Sequence, residues 1–207
     1  MKEDSYKLTK SPRHYLKLKI CVSGAAETGH CAPDTYEKAE RLGKAVAESG
    51  FVLVTGATVG VPYWAAKGAK EASGMVIGIS PAASEAAHLK TYHLPIDYHD
   101  LIIYTGFDYS GRNLLLTRAA DAVIIICGRI GTLNEFTIAY EDKKPLGVLT
   151  GTGGMSDMVK GIVEKSYRDR GSSGIIFDSD PKSLLDKVAN MIEKNRKLHH
   201  IPTSART

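Results

Sequence analysis

Apolar residues in this chain fall into short dense runs, at residues 16–22, 51–55, 75–79, 101–104, 122–127, 145–149 and 174–177. Most show no polar alternation, so they read as strands covered on both faces, with 16–22 carrying the weakest pattern. Stretches of helical period lie between them, at about 34–49, 62–72, 113–120, 132–142, 156–168 and 180–197, with a short helix or loop over 81–89. Asp34 and Glu37 have capping-box spacing, Pro62 suits a first helical turn, and Gly50 and Ser73-Gly74 stop helices. Strand alternating with helix predicts an α/β fold: a single doubly wound, mainly parallel, Rossmann-like sheet of about seven strands with helices on both faces. No repeat or linker divides the chain. The expected organisation is a flexible N-terminal tail over 1–14, one nucleotide-binding domain over 15–197, and a flexible C-terminal tail over 198–207.

In such sheets ligands sit beyond the carboxyl ends of the strands. Two glycine turns fall there, GATVG at 56–60 and CGRIGT at 127–132. The second empties a buried strand into a helix start, where free N–H groups and the helix dipole favour an anion. Gly128, Arg129, Gly131 and Thr132 are therefore the expected phosphate site. Gly56, Gly60, Ser23 and Gly24 belong to loops expected on the same rim. Arg112, between Gly111 and Asn113 past the fourth strand, suits bidentate anion contacts. Glu135 falls in the first turn of the following helix and can support positive charge at a sugar carbon. Blander roles are open at each position: plain βα turns, a carboxylate serving the helix dipole, an Arg112–Asp108 pair, and Arg129 in solvent.

Composition narrows the classes. The chain has 207 residues, 43% hydrophobic and 24% charged, and a net charge of +4, modest for a nucleic-acid binder and compatible with a small anion. No apolar run reaches the ~18 residues of a membrane span, and the opening MKEDSYKLTK lacks the apolar stretch of a secretory leader. Cys21, Cys31 and Cys127 fit no disulfide framework or metal-ligand spacing, which suggests a reducing, cytoplasmic location. His88, His93 and His99 match no metal motif, so no metal and no cofactor are expected. Gly24 and Gly29 are wrongly spaced for a dinucleotide fingerprint, and no acidic residue ends the second strand, which disfavours NAD.

The runs GRNLLLTRAADAVIIICGRIGTLNE (111–135) and FVLVTGATVGVPYWAAKGAKEASGMVIGISP (51–81) resemble the LONELY GUY (LOG) family. They equally resemble its relatives, the DprA/Smf-related Rossmann proteins and the molybdenum-cofactor carrier proteins. The resemblance covers roughly residues 17–150. For LOG enzymes it implies hydrolysis of a nucleoside 5′-monophosphate to free base and ribose 5-phosphate. Glu135 would be the catalytic carboxylate and Arg112 its partner. Gly128, Gly131 and Thr132 would hold phosphate, Gly56 and Gly60 would line the ribose side, and the assembly would be a homodimer or larger. Two departures stand out. Ile126-Cys127-Gly128 replaces the Pro-Gly-Gly of the enzymes, and Arg112-Asn113 replaces their Arg-Lys. The second matches the carrier and DprA branches, so the alternative is a non-catalytic binder or carrier of a phosphorylated ligand such as molybdenum cofactor or a nucleotide. Relatives are often labelled lysine decarboxylases, yet no pyridoxal-phosphate lysine site is legible here. Nucleic acid is an unlikely partner on this reading, since a basic, aromatic-rich groove is missing from the sequence.

Overall fold

The computed structural model describes residues 16–166 and 174–199; the expected tails fall outside these, apart from the last turn of the final helix. The strands are β1 (Lys19–Gly24), β2 (Val52–Thr55), β3 (Met75–Ser80), β4 (Leu101–Tyr104), β5 (Ala122–Ile126), β6 (Leu146–Leu149) and β7 (Ile175–Asp178). The helices are α1 (Thr35–Glu48), α2 (Val61–Glu71), α3 (Glu85–Lys90), α4 (Asp108–Ala119), α5 (Ile130–Glu141), α6 (Gly154–Lys165) and α7 (Pro181–His199). All seven strands pair in parallel, in the order β4-β3-β2-β1-β5-β6-β7. This is the doubly wound Rossmann-like sheet that the alternation predicts.

The period of two in a strand builds both cores at once. Ile124 and Ile126 of β5 face α1, α2 and α7, where Leu42, Val46, Leu184 and Val188 pack. Val123 and Ile125 face the opposite layer, against Leu116 of α4, Phe136 of α5 and Val159 of α6. Helices α1 and α2 touch backbone to backbone: a methyl group at Gly43 would lie 1.9 Å from the Ala65 carbonyl oxygen.

Several local expectations need correction. The segment with the weakest strand pattern supplies β1, the central strand of the sheet, with Ile20, Cys21 and Val22 fully buried. The expectation that all other strands are covered on both faces fails at the edges, because β4 and β7 have neighbours on one side and keep exposed residues. Asp34 makes no capping bond; its carboxylate pairs with Lys38 at 2.9 Å, one turn on. The working serine cap is Ser84, which accepts the Ala87 N–H at 3.2 Å and starts α3. Helix α4 begins at Asp108, so Arg112 lies inside a helix rather than in a loop. Helix α5 begins at Ile130, which moves Glu135 into its second turn.

Candidate functional site

Strand order reverses between β1 and β5, so the loops that leave them diverge and open a crevice at their carboxyl ends. A cavity of about 500 Å³ occupies it. Of the residues singled out in the sequence, Ser23, Gly24, Gly56, Arg112, Asn113, Arg129, Gly131, Thr132 and Glu135 line this cavity, brought together from β1, α4, α5 and two turns. Gly60 and Gly128 do not line it.

Glu135 is the centre of the constellation. It is 6% exposed, and Arg112 is 5% exposed. Arg112 Nη1 donates to Glu135 Oε1 at 3.2 Å, and the Ser23 hydroxyl donates to Oε2. With its amide turned so that donors face acceptors, Asn113 also donates to Oε1, at 2.8 Å, and to the Tyr109 carbonyl at 2.9 Å. Burial raises the Glu135 carboxyl above its ordinary value, and the Arg112 charge and Ser23 hydroxyl pull against that rise. Arg112 is not paired with Asp108, which accepts instead from the Tyr92 hydroxyl. Its guanidinium lies 5.9 Å from the Tyr109 ring centre, and its Nε has no hydrogen-bond partner among the described residues.

The glycines divide by what fills the space beside them. A methyl group at Gly56 would sit 2.3 Å from Arg112 Nη1, so this turn leaves room for the arginine. Gly128 has φ +94°, and a methyl group there would meet the Thr132 side chain at 2.5 Å. Gly60 (φ +75°) backs onto the Ala25 and Ala26 carbonyls, supporting the loop after β1 rather than facing a ligand. The first helical bond of α5 runs from Leu133 N–H to the Arg129 carbonyl at 3.0 Å. The N–H groups of Ile130, Gly131 and Thr132 therefore lie ahead of the ladder, at the positive end of the helix dipole. Arg129 spans the mouth and pairs with Glu27 at 2.8 Å.

The sequence reading missed the wall opposite. Tyr92, His93 and Leu94 from the segment before β4, together with Tyr109 and Thr58, also line the cavity. An aromatic-rich irregular stretch just ahead of a rim strand is the signal that marks them. His88 is buried and bonds Ser80 and Pro95, a structural role. Arg118 pairs with Asp142 at 3.0 Å and does not line the cavity.

The cysteine reading is overturned. Cys31 and Cys127 form a disulfide across 96 residues, with Cα atoms 5.8 Å apart. Pairs this far apart carry no spacing signature. The inference of a reducing compartment from unpaired cysteines loses that premise. Cys21 is the free thiol, buried in β1. Among the described residues no helix is long and apolar enough to cross a membrane.

A parallel α/β sheet with a charged crevice at its switch point defines a Rossmann-like protein, in which such a crevice is the usual place for a ligand. The profile of the SLOG cluster4 family matches residues 17–185, and the chain belongs to that family. An uncharacterised protein from Archaeoglobus fulgidus is 33% identical over 132 residues, 64% of this chain and 82% of that one. A cytokinin riboside 5′-monophosphate phosphoribohydrolase from Rhodococcoides fascians is 35% identical over 105 residues; the match spans 47% of this chain and about half (48%) of the enzyme. The molybdenum cofactor binding protein from the phototrophic bacterium Rippkaea orientalis superposes with a TM-score of 0.68 at 28% identity, covering 86% of this chain and 99% of that one.

Proposed function

We propose that this chain binds a nucleoside 5′-monophosphate and hydrolyses its N-glycosidic bond. The observation that carries the reading is Glu135, a buried carboxylate at the cavity wall beside the N–H groups that open α5. Phosphate binds at Ile130, Gly131 and Thr132, with Arg129 as a counter-charge. The ribose then lies toward Glu135. Water adds its oxygen to C1′, the C–N bond breaks with its electrons going to the base nitrogen, Glu135 takes one water proton, and the base nitrogen takes a proton from solvent, to which Glu135 then returns its own. The negative carboxylate stabilises the oxocarbenium-like carbon on the way. Burial raises its proton affinity, which makes it a stronger base than an exposed carboxylate.

Asn113 favours a second reading. Three donors, from Arg112, Asn113 and Ser23, converge on one carboxylate, which fixes it in place and offsets part of the basicity that burial gives it. A site arranged this way binds a phosphorylated ligand without cleaving it, as a carrier of a nucleotide or of molybdenum cofactor would. The reading includes a homodimer or larger assembly, supported by exposed Leu101, Ile103, Phe107 and Leu115 on β4 and around α4. A cytoplasmic setting is part of the same proposal.

The test is chromatographic detection of free base from a panel of nucleoside 5′-monophosphates. Native protein releases base, and Glu135→Gln retains binding but turns over about a hundredfold or more slowly. Tight binding of an intact phosphorylated ligand by the native protein, with no base released, sinks the hydrolase and leaves the carrier.

A further inference from the structure

The turn over 127–131 has a second side, directed at the loop between β1 and α1. Cys127 and Cys31 meet there beside His30. The imidazole Nε2 lies 3.5 Å from Cys127 Sγ and 3.3 Å from the Gly128 carbonyl oxygen. One donor atom from each of the three residues lies within 4.8 Å of the others. Two sulfurs and an imidazole are a donor set that borderline-soft cations prefer.

Two observations separate this cluster from a plain cross-link. The first is that the backbone near each cysteine is anchored to one residue, Thr152. The Ala32 N–H donates to the Thr152 carbonyl at 3.0 Å, and the Cys127 N–H donates to Thr152 Oγ1 at 2.9 Å. The Cys31 N–H is held by the Thr28 carbonyl at 2.9 Å, and the Cys127 carbonyl by the Ser156 N–H at 2.9 Å. These bonds hold the cysteines together without help from the S–S bond, so a reduced pair stays adjacent. The second is that Cys127 has φ +51°, a left-handed conformation that strains a side-chain-bearing residue. The turn retains a sulfur where glycine would be relaxed, and such strain gathers at functional positions.

We propose that the reduced chain binds a Zn²⁺-like cation through Cys31 Sγ, Cys127 Sγ and His30 Nε2, and that the disulfide is the oxidised, metal-free state of the same site. Two molecules of a small thiol reduce the disulfide to two cysteine thiols and leave as one small disulfide. The cation then displaces both thiol protons to solvent and takes the neutral imidazole as third ligand. A fourth position stays open to water on the side of the exposed His30. In reverse, a small disulfide such as glutathione disulfide accepts two electrons from the thiolates, becomes two thiols with protons from solvent, and releases the cation. Neither Glu135 nor the nucleotide cavity takes part, so this site stands or falls independently of the proposed hydrolysis. Cys21 is no competitor, because it lies fully buried in β1 and burial pushes its thiol well up.

The experiment is a Zn²⁺ titration of the full chain against a chromophoric chelator, after reduction and anaerobic removal of the reductant, with Co²⁺ as a spectroscopic probe. The reduced chain takes one equivalent of Zn²⁺ and shows a thiolate-to-Co²⁺ charge-transfer band, while the oxidised chain binds about a hundredfold or more weakly. Glutathione disulfide added to the loaded chain releases that equivalent. Cys31→Ser, compared with the reduced native chain so that neither carries the disulfide, abolishes the band. His30→Ala weakens Zn²⁺ binding by about tenfold while the disulfide still forms, which separates a ligand from a bystander. The proposal is overturned if the reduced chain takes up no Zn²⁺, if Cys31→Ser leaves uptake unchanged, or if millimolar thiol fails to open the disulfide in the folded chain.

Discussion

The turns after β2 and β5 look alike in sequence, each a strand emptying through glycines into a helix, yet they do different work. In the first, the space beside Gly56 is occupied by the guanidinium of Arg112, which arrives from α4 and reaches on to Glu135. In the second, the space beside Gly128 is occupied by Thr132 of the helix that follows, and the turn is tied from behind to Thr152 and Cys31. One turn makes way for a charge that belongs to the site. The other fixes the angle at which a helix start meets the cavity. Glycine in a βα turn therefore says that something comes close: a side chain at Gly56 and Gly128, and backbone carbonyls at Gly60.

The comparison is broken most severely by Gly56→Val. The added side chain expels Arg112 and leaves Glu135 buried without its cation, at a cost of about 3–5 kcal/mol. Denaturant unfolding and ligand titration should both register the loss; unchanged binding would show that Arg112 is dispensable to the site. Next in size is Gly128→Ala, expected to cost about 1–3 kcal/mol through its positive φ and the Thr132 contact. Adding Thr132→Ser, which removes the crowding methyl carbon, should recover part of that loss in unfolding midpoints. If nothing is recovered, backbone conformation alone sets the cost. Thr152→Val deprives the Cys127 N–H of its acceptor, and a loss of about 1–3 kcal/mol is expected in the same measurement.

The smallest effect is confined to acid. His99 Nε2 lies 2.9 Å from Thr55 Oγ1, which also accepts the Ala57 N–H at 3.1 Å, so the first turn hangs partly on a neutral imidazole. Burial pushes His99 below its ordinary value of 6.5. The unfolded chain therefore takes up the proton first as pH falls. The His99 contribution is complete above 6.5 and fades as pH drops from there through the lowered folded value. Unfolding midpoints of the native chain should fall across that window more steeply than those of His99→Gln, and parallel curves would remove His99 from the account.

The sequence exposed the rim well because glycine turns, a lone arginine and a helix-start carboxylate are all local signals. Arg112, Glu135, Ser23 and Thr132 meet where the strand alternation places them. What stayed hidden depends on distance along the chain. The Cys31–Cys127 pair joins loops 96 residues apart, and nothing local marks a partner so remote. The wall of Tyr92, His93 and Leu94 has no period to read, since an irregular segment is shaped by what it covers. β1 looked weak because Lys17 and Lys19 interrupt its start, whereas Lys19 finds Asp121 at 2.7 Å and the apolar remainder takes the central place in the sheet. Asp34 shows the converse: a capping signature in sequence whose carboxylate found a lysine instead.

The strand order also has a timetable written into it. Strands β1 to β4 neighbour one another in the order in which a ribosome delivers them, so half of the sheet can assemble while the chain is still short. The free edge of β1 must then wait until residues 122–126 emerge, and for that interval a strand with an apolar stretch at 20–22 stands open to any passing partner. Nascent chains stalled between residues 104 and 121 are the lengths at which aggregation should peak, and release of the next strand is the event that closes the hazard.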